Sequence, residues 1–197
     1  MDLIKNSISI LKLQVEANPK RYIFPVQKNP NLIKEIEKKY SIFLPASYKQ
    51  FMKVFNGGFV NLLCDMDIDI ADASWNSNTI FSLEEMAFQY ARLRTMGWKY
   101  DPPSNVNYPF IPFGRNKYNE LLVFINPLLK KESYVFEAVH DVPYSCWDLI
   151  SFDFADFMSS YLDMDGEYSY LPGTENLTLS EYLDNLPYTK LLYFNDK

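Results

Sequence analysis

Leu44-Pro-Ala-Ser-Tyr-Lys-Gln-Phe-Met-Lys-Val-Phe-Asn-Gly-Gly58 reads as one short helix with both ends written in. Proline suits the first helical position, where its missing N–H costs nothing, so Pro45 starts the helix. Tyr48, Phe51, Met52 and Phe55 fall at i, i+3, i+4 and i+7, which is one buried face. Asn56-Gly57-Gly58 stops it, because glycine enters the left-handed conformation that closes a helix. The stretch holds no chemistry of its own. Its value lies in the fold it belongs to.

Upstream, Asn29-Pro30 is a second helix start, with Asn as the cap and Pro next. Leu32, Ile33, Ile36 and Tyr40 line its apolar face, so 30–40 and 45–55 form a helical pair. Before them, residues 2–17 predict an amphipathic helix through Ile4, Ile8, Leu11 and Val15, although Ile10 and Leu13 blur its period. Tyr22-Ile-Phe24 is a short extended piece ended by Pro25.

Downstream of Gly58 the period changes. Phe59-Val-Asn-Leu-Leu63 predicts a strand. Asp65-Met-Asp-Ile-Asp-Ile70 alternates, which puts Met66, Ile68 and Ile70 inside and Asp65, Asp67 and Asp69 outside. Ser82 with Glu85 is a capping box opening a helix to about Met96, closed by Gly97. Three strand-like runs follow: Phe110-Ile-Pro-Phe113, Leu121-Leu-Val-Phe-Ile125 and Ser133-Tyr-Val-Phe-Glu-Ala-Val139. A polar turn joins the first two as an antiparallel hairpin. A helix from Phe152 to Leu162 buries Phe154, Phe157, Met158 and Tyr161, and a short one is expected over 178–186. Runs of helices and strands in this order favour α+β with a mostly antiparallel sheet flanked by helices.

With 48% hydrophobic and 17% aromatic residues, the 197-residue chain has the composition of a packed core. No run of about 18 apolar residues is present, so no membrane span or membrane partner is expected. The first ten residues lack a signal peptide's apolar run, which points to a cytoplasmic protein. Cys64 and Cys146 match no CxxC spacing and read as buried free thiols.

The net charge of −6 hides a gradient. Residues 1–64 carry ten Lys/Arg against four Asp/Glu, whereas residues 132–189 carry twelve Asp/Glu and no Lys/Arg. That acidic stretch is either a solvated surface or an electrostatic landing surface for a basic partner. Nucleic acid is disfavoured as a partner, because the acidic half repels phosphate.

Catalytic constellations are thin. His140 is the one histidine, and its pairing with Cys146 has no orienting signature around it. Cys64, Cys146 and His140 lack zinc-ligand spacing. Asp163-Met-Asp165-Gly166 opens like a calcium loop but places Gly fourth where an EF-hand needs it sixth. No enzyme, metal or cofactor is therefore expected. Core packing is the default for each of Trp75, Trp98 and Trp147; Trp75, lying among Ser, Asn and Thr, is the one of the three with most reason to be exposed.

The pieces Leu32–Tyr40, Leu44–Phe51 and Asn56–Gly58, followed by Phe110-Ile-Pro-Phe-Gly114, Leu121–Phe124, Tyr134–Phe136 and Ser151–Phe157, together resemble the SUKH superfamily. That superfamily includes the yeast cell-wall-assembly regulators and many bacterial proteins. The resemblance implies a SUKH-like domain over 30–165, a helical extension over 1–29, and a C-terminal extension over 166–197 packed on the domain. It implies no transferable catalytic residue. Bacterial members are viewed as immunity proteins that bind and neutralise toxins, often nucleases or nucleic-acid deaminases; eukaryotic members act as regulatory scaffolds. Combined with the charge gradient, it points to a basic protein toxin domain as partner. Asp65, Asp67, Asp69, Trp75, Asp163, Asp165, Glu167, Tyr168 and Tyr170 are the partner-binding candidates. The alternative for the tyrosines is that they pack the tail onto the domain.

Overall fold

The computed structural model describes residues 2–66, 68–96, 110–125, 132–142 and 146–169. Asp67, Gly97, Trp98, Tyr170 and the helix expected over 178–186 lie outside them.

Thirteen elements follow one another in these residues: α1 (Leu3–Ala17), β1 (Tyr22–Ile23), α2 (Leu32–Tyr40), α3 (Ala46–Met52), β2 (Gly58–Val60), α4 (Ile70–Trp75), β3 (Thr79–Ile80), α5 (Leu83–Met96), β4 (Ile111–Arg115), β5 (Leu121–Ile125), β6 (Tyr134–Ala138), β7 (Asp148–Ser151) and α6 (Phe154–Asp163). The seven strands form one sheet in chain order β1 to β7, and every neighbouring pair is antiparallel. The architecture is α+β, a meander interrupted by helices, as the alternation of periods predicts.

Successive side chains of a strand point to opposite faces. On β5, Leu122 and Phe124 enter the larger core, while Val123 and Ile125 enter a smaller cluster with Phe136, Trp147 and Leu149. The sheet centre is thus buried on both sides, which accounts for the unbroken apolar run of β5. Over the larger core lie α1, α3 and α6. Tyr48 and Phe51 of α3 meet Phe154 of α6 edge to face, with ring centroids 5.1 and 5.5 Å apart. Burial of Ile4, Ile8 and Leu11 on α1 follows the 3.6-residue period, and Leu13, the residue that blurs it, is 68% exposed. The buried hydroxyl of Tyr161 accepts from Val60 N–H and donates to the Asn78 carbonyl, which ties α6 to the chain entering β3.

Several expectations are corrected. Helix α2 begins at Leu32 rather than Pro30, and α3 ends at Met52 rather than Phe55. Phe55 is buried in a bridge to Val26, outside any helix. Gly57 and Gly58, at φ +73° and +138°, are therefore not the helix stop; they are the approach to β2. Asn56 serves another helix. Its Oδ1 accepts from the Leu83 N–H at 3.0 Å and its Nδ2 donates to Glu84, beside the Ser82 cap on Glu85 N–H. The loop thereby satisfies free N–H groups at the start of α5.

The strand expected over 59–63 stops at Val60, and 65–70 forms none. Asn61 accepts from Leu63 N–H through its side chain and turns the chain away. Asp69 then accepts from Ala71 N–H at 2.7 Å and caps α4. Short polar side chains offer the backbone bonds that compete with a ladder, and here they win over the period-2 pattern. Met66, Ile68 and Ile70 consequently face outward. Cys146 is exposed and Cys64 half-buried, against the expected pair of buried thiols; neither is in a disulfide.

Candidate functional site

The segment 62–75 leaves the sheet after β2 and returns as α4. Met66, Ile70 and Trp75 are 62%, 60% and 56% exposed, with Leu62 and Ile68 more covered. Asp65, Asp69 and Asp72 are exposed between them. Residues 54–91 contain no Lys or Arg, and six acids, Asp65, Asp67, Asp69, Asp72, Glu84 and Glu85. Among the described residues of this segment, exposed apolar side chains thus alternate with exposed aspartates, at the place where the sequence predicts apolar residues turned inward.

Of the other candidates, Asp163 is exposed at the end of α6. Asp165 instead forms an ion pair with Arg21 and accepts from the Tyr22 hydroxyl at 3.0 Å. Arg21 also donates toward Cys64 Sγ, which draws the 62–65 turn to this pair. Glu167 pairs with Lys117 at 2.9 Å and accepts from Asn78. Tyr168 packs its ring 5.6 Å from Phe157 against the core. Asp165, Glu167 and Tyr168 are thus brought together as ties that hold the chain after α6 to β1, Asn78 and the β4–β5 turn. Asp163 stands apart from these ties. Asp67 and Tyr170 lie outside the described residues.

The Arg21 guanidinium holds the Asp165 carboxyl below the ordinary carboxylate range, aided by the Tyr22 hydroxyl. A depressed folded pKa stabilises the fold above the unfolded value, and that stabilisation is lost as pH falls through the folded one. Asp165→Asn should therefore be less stable than the parent chain at pH 7, and the gap should begin to narrow as pH falls below about 4, the unperturbed carboxylate value. Urea midpoints of the two chains across pH check this; a gap that does not narrow as pH falls below that value would contradict it.

Trp75 also stands at the rim of a cleft of about 670 Å³ between α5, the end of α4 and the sheet. Phe81, Leu121 and Ala138 give it apolar walls; Glu85, Arg115, Glu120 and His140 give it charge. Arg115 lies 3.7 Å from the Trp75 ring centroid and reaches Ser74 Oγ at 3.4 Å. Burial pushes its pKa down, with Glu85 acting through space in the opposite sense. Glu120 accepts from the His140 backbone N–H at 2.8 Å and lies 2.7 Å from its Nδ1, while Asp141 lies 3.2 Å from Nε2. His140 thus sits between two carboxylates. Neither Arg115 nor Glu120 was singled out by sequence reasoning. The available signal was a cation ending an otherwise apolar strand. Among the described residues no group of three His, Cys, Asp or Glu side chains is placed to hold a metal ion.

Fold and surface define an α+β domain built on one antiparallel meander, with acidic side chains divided between internal ties and an outward ridge. The chain belongs to the SMI1 / KNR4 family (SUKH-1), whose model matches residues 29–160. Comparison with curated proteins returns no match. Membership agrees with the resemblance read from the sequence and is consistent with an immunity or regulatory protein-interaction role. No helix among the described residues is long and apolar enough to cross a membrane.

Proposed function

We propose that this chain is a non-enzymatic, cytoplasmic immunity protein that binds and neutralises a basic toxin domain, a nuclease or nucleic-acid deaminase, by covering its substrate cleft with acidic side chains. The observation that carries this reading is the ridge over 62–75: exposed Met66, Ile70 and Trp75 between Asp65, Asp69 and Asp72. Charges of one sign steer a complementary partner, and apolar anchors within them hold it. The acidic stretch over 132–189 and family membership support the same reading. Regulatory scaffolding without a toxin partner is the second reading, favoured by the family's breadth.

The test is complex formation with the C-terminal domain encoded by the large reading frame next to this gene, measured by calorimetry at low and high salt. The expected result is a complex that weakens with salt. Trp75→Ala should lose about 2 kcal/mol of binding, or about thirtyfold in Kd, as a hot-spot tryptophan does. Asp65→Lys with Asp72→Lys should slow association without lowering the melting temperature. No complex, or a neighbouring frame without a toxin-like domain, leaves the scaffold reading. A complex that ignores salt removes the electrostatic part.

A further inference from the structure

Arg115 ends β4, paired with Thr79 of β3 on one side and Leu121 of β5 on the other. Its side chain lines the cleft and is half-buried. A guanidinium carries five N–H donors in a fixed fork. Among the described residues, one accepts from it, Ser74 Oγ at the long distance of 3.4 Å, and Nε is buried without a hydrogen-bond partner. No carboxylate stands within ion-pair distance of it there.

The acids lining the same cleft are already engaged. Glu85 accepts from Gln89 at 2.7 Å, Glu120 holds His140, and Asp141 meets the other ring nitrogen. A cation drawn half out of water with unused donors carries a desolvation cost, and Glu85, acting through space, offsets only part of it. Trp75 covers the face of the guanidinium at 3.7 Å. Stacking takes the face of an arginine and leaves its edge, the part that meets two oxygens of a carboxylate or phosphate at once.

We propose that the cleft is an anion-binding site in which Arg115 receives the carboxylate or phosphate of a small ligand, with the ligand's apolar part against Trp75, Phe81 and Leu121. A volume of about 670 Å³ lies within the range of small-molecule sites. Arg92 lines the cleft too. The site goes beyond toxin binding: it shares Trp75 with the ridge but rests on Arg115 and the cleft walls, so small-anion binding and toxin binding are measured separately and either can fail without the other.

The test follows the tryptophan indole N–H resonances of the isotopically labelled full chain. Trp75→Phe assigns the signal of interest, and Trp147, fully buried, is the internal reference. Benzoate, phenyl phosphate and neutral benzamide are titrated separately. The Trp75 signal should shift saturably with at least one anion and not with benzamide, and the tighter anion identifies the oxyanion preferred. Arg115→Gln should weaken binding at least tenfold while its melting temperature stays close to that of the parent chain, because the stack on Trp75 and the long bond to Ser74 are lost but no ion pair is. Arg115→Lys, which keeps the charge without the fork, should fall between the two and serves if the glutamine variant does not fold. No saturable shift with either anion, an equal response to benzamide, or unchanged affinity in both variants overturns the site.

Discussion

Tyr48→Ala is expected to cost about 3–5 kcal/mol of folding free energy, the range for deleting a buried aromatic ring. The side chain is wholly buried, with Phe124 and Phe154 at centroid distances of 5.1 Å and Phe113 at 6.1 Å. It therefore joins α3, the sheet and α6 at one point. Stabilities of single domains run to about 5–15 kcal/mol, so this one truncation removes a large share. Tyr48→Phe is the paired control. The hydroxyl is buried and has no hydrogen-bond partner, and burial pushes the phenol far above its ordinary pKa. An unpartnered buried hydroxyl carries about 1–3 kcal/mol of desolvation cost, so removing it should leave stability unchanged or raise it. Urea denaturation of both variants decides. A phenylalanine variant weakened by more than about 1 kcal/mol, the worth of an ordinary hydrogen bond, would mean that the hydroxyl is bonded.

That pair of outcomes separates what the sequence made legible from what it did not. The spacing of Tyr48, Phe51 and Met52 placed the ring in the core, and all three are fully buried. Helix α6 and strands β4, β5 and β6 are legible from their apolar runs, α1 from a blurred helical period, and α5 from its capping box. Strand β3 is two residues long, and β7 carries only Leu149 and Ile150 as apolar members; neither gives a period. Helix α4 is only six residues long, too short to show a period, and the alternation over 65–70 runs straight into its start. What decides against the strand is the Asn61 turn and the Asp69 cap, side-chain bonds that hydropathy does not register.

The candidate site divides along the same line. Small polar neighbours mark Trp75 as the tryptophan with most reason to leave the core, and it is exposed against the core default. Asp165 and Glu167 looked like free acids because their partners Arg21 and Lys117 lie far away in sequence. Arg115 escaped notice because its burial comes from Trp75 folding over it, a contact between positions forty residues apart. Local composition suggests which residues carry charge. The topology settles which of those charges face one another.

Gly58→Ala tests the part of the opening stretch that was read for the wrong reason. At φ +138° a side chain is strained in any surroundings, and an added Cβ would meet the Ile23 carbonyl and lie 2.5 Å from the Phe24 ring. Gly57 is similar, at φ +73° with the Ile80 carbonyl 2.5 Å from the same addition. These contacts are with β1, β3 and their flanks, so the two glycines let three chain segments close against one another. Backbone strain of this kind costs about 1–3 kcal/mol. Forcing a rigid neighbour aside adds about 1–3 kcal/mol more. Gly58→Ala should therefore lose about 3 kcal/mol, and amide exchange should quicken first at Tyr22, Ile23, Phe59 and Val60, the paired residues of β1 and β2. Helix α3, which ends six residues earlier at Met52, should keep its protection until global unfolding. A loss near 1 kcal/mol, as for strain in φ alone, with fraying confined to the end of α3, would restore the pair to the role of helix stop. A larger loss centred on the strands makes Asn56-Gly57-Gly58 a junction: Asn56 caps α5, and the glycines admit the sheet.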